Sequence, residues 1–180
     1  ANGGINYQDG ILDQVYQLRP SLPNMVYRYD PAAKSIRAVA DGFGRSNGIC
    51  FSPEKKTVYI TDTDQTLHRF MFLTSCSYAF DLTYRHGQPF LVNRRLFALA
   101  DTGIPDSIKC NTAGNVYSGC ADGVNAWSPG GLLWGKIVIP GGVTNLCFGR
   151  NGQLFALNEH RLWLAWLDYS AKGDLAKYID

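Results

Sequence analysis

One phrase occurs three times along this chain of 180 residues, and it limits the fold more than any other feature: Ser46-Asn47-Gly48-Ile49-Cys50-Phe51-Ser52, Pro105-Asp106-Ser107-Ile108-Lys109-Cys110-Asn111 and Val143-Thr144-Asn145-Leu146-Cys147-Phe148-Gly149. Aligned on its apolar pair, Ile49 matches Ile108 and Leu146, while Phe51 matches Cys110 and Phe148. That period of two reads as a strand. A second β-rich run follows each phrase: Thr57-Val58-Tyr59-Ile60-Thr61, Asn115-Val116-Tyr117-Ser118-Gly119 and Gln153-Leu154-Phe155-Ala156-Leu157. Turn residues join the runs of each pair, as in Thr112-Ala113-Gly114 and Arg150-Asn151-Gly152.

Third strands are predicted at residues 67–71, 124–127 and 161–166, and fourth strands at 91–99 and 132–139. Four short antiparallel strands in about 40 residues make a propeller blade. In the first copy, residues 74–88 read as an insertion between the third and fourth strands. Residues 25–29 and 35–39, joined by Asp30-Pro31, read as the outer hairpin of a preceding blade. The expectation is an all-β chain forming one partial β-propeller domain over residues 1–180. It comprises a blade remnant (1–43), two blades (44–101 and 102–140) and a third (141–180) lacking a clear outer strand. Closed propellers have four to eight blades, so about three blades and part of a fourth form an incomplete arc. The start at Ala1-Asn2-Gly3-Gly4, without methionine, is the expectation of an N-terminally truncated chain or fragment.

A 46% hydrophobic content with 19 glycines fits a folded, β-rich protein rather than a disordered one. The net charge of +2 provides no nucleic-acid footprint, and Lys55-Lys56 and Arg94-Arg95 read as pairs on solvated turns or strand ends. No apolar run approaches a membrane span. Five cysteines leave at least one unpaired. Cys50, Cys110 and Cys147 read as inner-strand packing groups, Cys76 and Cys120 could pair only if folding brought them together, and no Cys-x-x-Cys spacing points to zinc. His68, His86 and His160 fall in or near outer strands and loops, Asp62 and Asp64 in turn positions, and the four tryptophans at packing positions between blades. The sequence contains no Gly-x-Ser-x-Gly elbow and no phosphate loop.

Asn47-Gly48-Ile49-Cys50-Phe51-Ser52-Pro53 with Tyr59-Ile60-Thr61-Asp62-Thr63, followed by Asn93-Arg94-Arg95, Gly103-Ile104-Pro105-Asp106 and the third phrase, resembles the gluconolactonase and senescence marker protein (regucalcin) family. The likeness is tightest to fungal lactonohydrolase-like members. It runs from about Tyr16 to Trp166. The resemblance implies a six-bladed propeller that binds one divalent cation, calcium in the first place with zinc or manganese as alternatives, and hydrolyses lactones to hydroxy acids. It further implies that Asn47 and Asp106 are metal ligands, with Asp106 also the catalytic group that handles the proton of the attacking water. Hard cations favour such oxygen donors.

Two features depart from the family pattern: its N-terminal glutamate ligand and a further asparagine would precede Ala1, and Ser107 stands where the family usually has glycine. Thr144, at the register position of Asn47 and Asp106, and Asn145 beside it are substrate candidates, or else caps of a strand entry. Asn-Gly is also a common turn dipeptide, and Pro105-Asp106 an ordinary loop-to-strand entry. The implied partner is a small-molecule lactone, with no nucleic acid, no membrane and self-association through open propeller edges. The compartment stays open between cytoplasm and secretion. Besides the metal-dependent lactonase stand two alternatives, a catalytically inactive fragment and a non-catalytic propeller scaffold for binding.

Overall fold

The computed structural model describes residues 22–63, 76–168 and 170–173. Thirteen strands in these segments form four antiparallel sheets. β1 (Val26–Asp30) pairs with β2 (Ser35–Ala40). β3 (Ser46–Phe51), β4 (Thr57–Asp62), β5 (Cys76–Arg85) and β6 (Gln88–Leu99) form a four-stranded meander. A second meander contains β7 (Ile108–Cys110), β8 (Val116–Cys120), β9 (Gly123–Trp127) and β10 (Leu133–Val138). The last sheet has three strands, β11 (Asn145–Phe148), β12 (Gln153–Leu157) and β13 (Leu162–Trp166). The first strands of successive sheets, β3, β7 and β11, lie beside one another at the inner edge. The described residues form an arc of a β-propeller, with three blades and the outer hairpin of a fourth.

Side chains alternating along each strand pack the blades face to face. Cys50, Tyr59 and Ala79 meet Ile108, Cys110 and Val116 between the two four-stranded sheets. Tyr117 and Val124 meet Leu146, Leu154 and Ala156 in the next interface. Burying each large apolar side chain contributes roughly 1.5–3 kcal/mol. Trp127, 2% exposed, fills the outer part of the first of these interfaces with Ala98, Ala100 and Cys120. Trp163 packs beside the second interface, whereas Trp134 and Trp166 are exposed. The packing role predicted for four tryptophans therefore holds for two.

The region 74–88 is not an insertion. Residues 76–85 are the third strand of their blade, paired with β4 in the register Thr57↔Asp81 to Asp62↔Cys76. The hairpin from β5 to β6 closes through His86 and Gly87, with φ 51° and 74°. Two left-handed residues match the twist of flanking strands in a two-residue turn, and strand pairing overrides the polar look of the segment. The predicted strand at 67–71, with His68 and Asp64, lies outside the described residues.

Arg94 and Arg95 sit within β6, not at its end. Asn93 takes φ 54° at a register irregularity, and its side chain donates to Asp81 Oδ2 at 2.8 Å. Arg94 stacks over Tyr78 at 4.0 Å and Phe43 at 4.8 Å, and donates to the Gly42 carbonyl at 2.7 Å. A nominal surface charge thus ties the β2–β3 loop to its blade.

None of the five cysteines forms a disulfide. Cys147 departs from its repeat partner Cys50: it is exposed, on the face of the last sheet that has no blade against it among the described residues. Leu162, Leu164 and Trp166 of β13 are exposed as well. Past β13 the chain turns at Asp168, where Ala171 N–H donates to the Asp168 carbonyl at 2.8 Å. It then runs back to the floor of β7, where Gly173 bridges Asn111 and the Thr112 N–H donates to the Lys172 carbonyl at 2.7 Å.

Candidate functional site

Asn47 and Asp106 enter adjacent inner strands at the same repeat position, and the fold joins them. The Asn47 amide nitrogen donates to Asp106 Oδ1, and both residues are half-buried. Burial raises the Asp106 carboxyl above its ordinary value of 3.8, and the hydrogen bond from Asn47 opposes that rise. The loop that delivers Asp106 is fastened on both sides. Pro105 is fully buried, and the Asp106 N–H donates to the Gly119 carbonyl at 2.8 Å. Upstream, the Lys136 ammonium bridges Asp101 and Asp122, the latter at 2.7 Å.

Asn47 owes its direction to a β-bulge. Ser46 pairs with Asp62 and Ile49 with Ile60, so Asn47 and Gly48 together stand opposite the single residue Thr61. The Gly48 N–H, displaced from the regular ladder, donates to the Thr61 hydroxyl at 2.7 Å. That hydroxyl in turn donates to the Asp106 carbonyl at 2.6 Å, across the blade boundary. Gly48 needs its missing side chain here: a Cβ would lie 2.6 Å from the Asp106 carbonyl oxygen and 2.8 Å from the Ile108 nitrogen. Asp62, expected to make turn hydrogen bonds after the second strand, is instead the last residue of β4 and accepts from Gly44 N–H at 3.0 Å and Arg45 N–H at 2.7 Å in the loop before β3.

Thr144 holds the register of Asp106. Its N–H donates to the Leu157 carbonyl at 2.8 Å, the counterpart of the bond from Asp106 to Gly119, and its hydroxyl donates to the same oxygen at 3.1 Å. It meets the second strand entry through its carbonyl, which accepts from the Ser107 N–H at 3.3 Å. Asn145 is exposed, and its Oδ1 accepts from the Leu146 N–H at 2.8 Å. The structure therefore pairs Asn47 with Asp106 side chain to side chain, while the side chains of Thr144 and Asn145 bond within their own blade. Sequence reasoning missed Thr61. Its signal was a threonine where the other copies have Gly119 and Leu157, beside the one phrase that contains Asn-Gly.

As oxygen donors, the Asn47 amide and the Asp106 carboxylate fit a hard divalent cation chemically, because a half-buried carboxylate with one neutral partner gains from a positive charge. Among the described residues no group of three or more His, Cys, Asp or Glu side chains converges. Asn47 and Asp106 bring two side chains with oxygen donors together.

Residues 12–156 match the model of the SMP-30/gluconolactonase/LRE-like region. The chain is 30% identical over 160 residues to lactonohydrolase oryH of Aspergillus oryzae, covering 81% of this chain and 32% of that protein. A gluconolactonase structure from Xanthomonas campestris superposes with a TM-score of 0.69 at 30% identity, over 81% of this chain and 46% of that one. The calcium-binding protein regucalcin from Agrobacterium tumefaciens shares the fold, with a TM-score of 0.60 at 19% identity over 76% and 45% of the two chains. This chain thus spans about a third of the first of these and about half of each solved structure. The repeated blades, the paired inner-strand entries and the family match together make the chain a member of the SMP-30/gluconolactonase/LRE-like family.

Proposed function

We propose that this chain carries one side of a lactone-hydrolysing centre, in which Asn47 and Asp106 hold a divalent cation, calcium before zinc or manganese. The observation that carries the reading is the contact between their side chains across two adjacent blades. Relatives described as a lactonohydrolase and a gluconolactonase, and a structural neighbour described as calcium-binding, support it. A bound divalent cation would supply electrostatic stabilisation of the oxyanion and polarise the lactone carbonyl.

The chain's own residues do the rest. Asn47 orients the Asp106 carboxylate, and Asp106 takes the proton of the water that attacks the carbonyl carbon. The ring C–O bond then breaks, and its alkoxide receives that proton back from Asp106 to give the hydroxy acid. Thr144, one strand entry further along the inner edge, stands on the substrate side, with Asn145 next to it. Calcium takes six to eight ligands, so two protein oxygens leave most of the shell to water or to groups beyond this pair.

A pH-indicator assay on gluconolactone and related lactones tests the reading, with calcium, zinc or manganese added and then chelated. Turnover should depend on the cation and disappear in Asp106→Ala. Acid release no faster than the spontaneous rate in every metal rejects it for these residues.

A further inference from the structure

Thr61 is fully buried, with 0% exposure, and its hydroxyl has backbone partners in both candidate ligand segments, accepting from the Gly48 N–H and donating to the Asp106 carbonyl. A threonine hydroxyl has one proton to give, and here it goes to the peptide carbonyl of Asp106. Its lone pair receives the Gly48 N–H, the group that the bulge removes from the β3–β4 ladder. In the other copies the residue in the place of Thr61 acts through backbone alone. In the second, Gly119 stands in the place of Thr61, exchanging bonds with the next-door strand through its own N–H to the Ser107 carbonyl at 3.1 Å and its carbonyl to the Asp106 N–H at 2.8 Å. In the third, the Leu157 carbonyl accepts from the Thr144 N–H. The hydroxyl bond to the Asp106 carbonyl occurs in the one copy whose asparagine reaches a carboxylate across a blade boundary.

We infer that Thr61 is a positioning residue for the Asn47–Asp106 pair: one buried hydroxyl fixes the bulge that aims Asn47 and the peptide that carries Asp106, and so sets the separation of the two side chains. This rests on the proposed lactonase centre for its purpose, but its geometry can be tested apart from it. Asn47 lies on β3, Asp106 precedes β7, and Thr61 is the side chain that bonds the backbone of both segments. Loss of the hydroxyl frees both ends at once, whereas serine retains both bonds.

The test compares Thr61→Val, Thr61→Ser and Val58→Ala in the full chain. Val58 is fully buried on the same strand and matches a packing loss without touching the pair. The first readout is the NMR signal of the Asn47 side-chain amide, whose hydrogen-bonded proton should lose its downfield shift in Thr61→Val and keep it in Thr61→Ser and Val58→Ala. The second is calorimetric titration with calcium alone, where Thr61→Val should bind about tenfold more weakly or worse, the order set by losing ordinary hydrogen bonds, and Thr61→Ser should bind like the parent. In the unsubstituted chain the Gly48 amide should also be protected from hydrogen exchange, which decides the matter even if Thr61→Val does not fold. An Asn47 signal equally shifted in Thr61→Val, or a Gly48 amide that exchanges freely, overturns the inference. A parent chain that ignores calcium while the amide signals behave as expected overturns the metal reading and leaves the positioning role standing.

Discussion

Gly48→Ala probes the closest approach between the strands that carry Asn47 and Asp106. The added Cβ would meet the Asp106 carbonyl oxygen at 2.6 Å, the Ile108 nitrogen at 2.8 Å and Ser107 Cα at 3.0 Å. Ordinary contact starts at 3.4 Å, so the carbonyl would have to retreat by about 0.8 Å, and all three obstacles are backbone that cannot rotate aside. Overpacking of this kind costs about 1–3 kcal/mol, and the stiffer unfolded chain returns about 0.4–1 kcal/mol, for a net loss of about 1–2 kcal/mol. In a domain of this size that lowers the midpoint of thermal unfolding by roughly 2–8 °C. The strands must part where the side chains meet, so the Asn47–Asp106 hydrogen bond should lengthen and its amide proton signal move. Gly135→Ala is the control: a Cβ there has nothing within 4 Å, and the substitution should be neutral or slightly stabilising. The assay is thermal unfolding followed by circular dichroism, with the Asn47 side-chain amide observed by NMR. Equal midpoints for the two variants, with an unmoved amide signal, would refute the tight strand contact.

Three further outcomes can be checked. Trp127→Ala should lose about 3–5 kcal/mol in urea unfolding, because it empties a fully buried site between two blades, while exposed Trp134→Ala should stay within about 0.5 kcal/mol. Asp106 has its carboxyl raised by burial, so in the absence of added cation the folded state holds its proton more tightly than the unfolded one. Stability then falls as pH rises from the ordinary carboxylate range through the raised value, and Asp106→Asn should gain relative to the parent over that range and show no such gain in acid; a difference that does not vary with pH contradicts this. Arg94→Met should cost about 1–2 kcal/mol by removing the stacking on Tyr78 and Phe43 and the bond to the Gly42 carbonyl, a loss read from unfolding curves and absent in exposed Arg85→Met.

The blades were legible because their apolar alternation repeats with the turns between them: β8, β12 and β13 lie within a residue or so of where the sequence places them. The third strand of the first blade was not. Ser77, Asp81 and Thr83 dilute its alternation, and only pairing with β4 over Cys76 to Asp81 makes it a strand. Arg94 was legible in part: it is exposed, as a charge in a β-rich run suggests, but it lies inside β6 beside left-handed Asn93, with its guanidinium over two aromatic rings. At the site, the repeat register was enough to place Asn47 and Asp106 at equivalent strand entries. It could not show the bulge opposite Thr61, because a shift in pairing leaves no trace in composition and shows only when Ile49 is found opposite Ile60.

The bridge between Asn111 and Gly173 has a kinetic consequence. Each four-stranded sheet is a meander of neighbours in sequence, so its strands can associate early and locally. The segment that reaches the floor of β7 arrives only after β11, β12 and β13 have turned the chain back toward it. Closing this strap therefore comes last, and opening it is the first step of unravelling from that end. The Thr112 amide, bonded to Lys172 at 2.7 Å, should therefore exchange with solvent as the strap opens, ahead of the last blade and of the sheet it adjoins. One backbone proton beside the second blade thus serves as a clock for the docking of the strap.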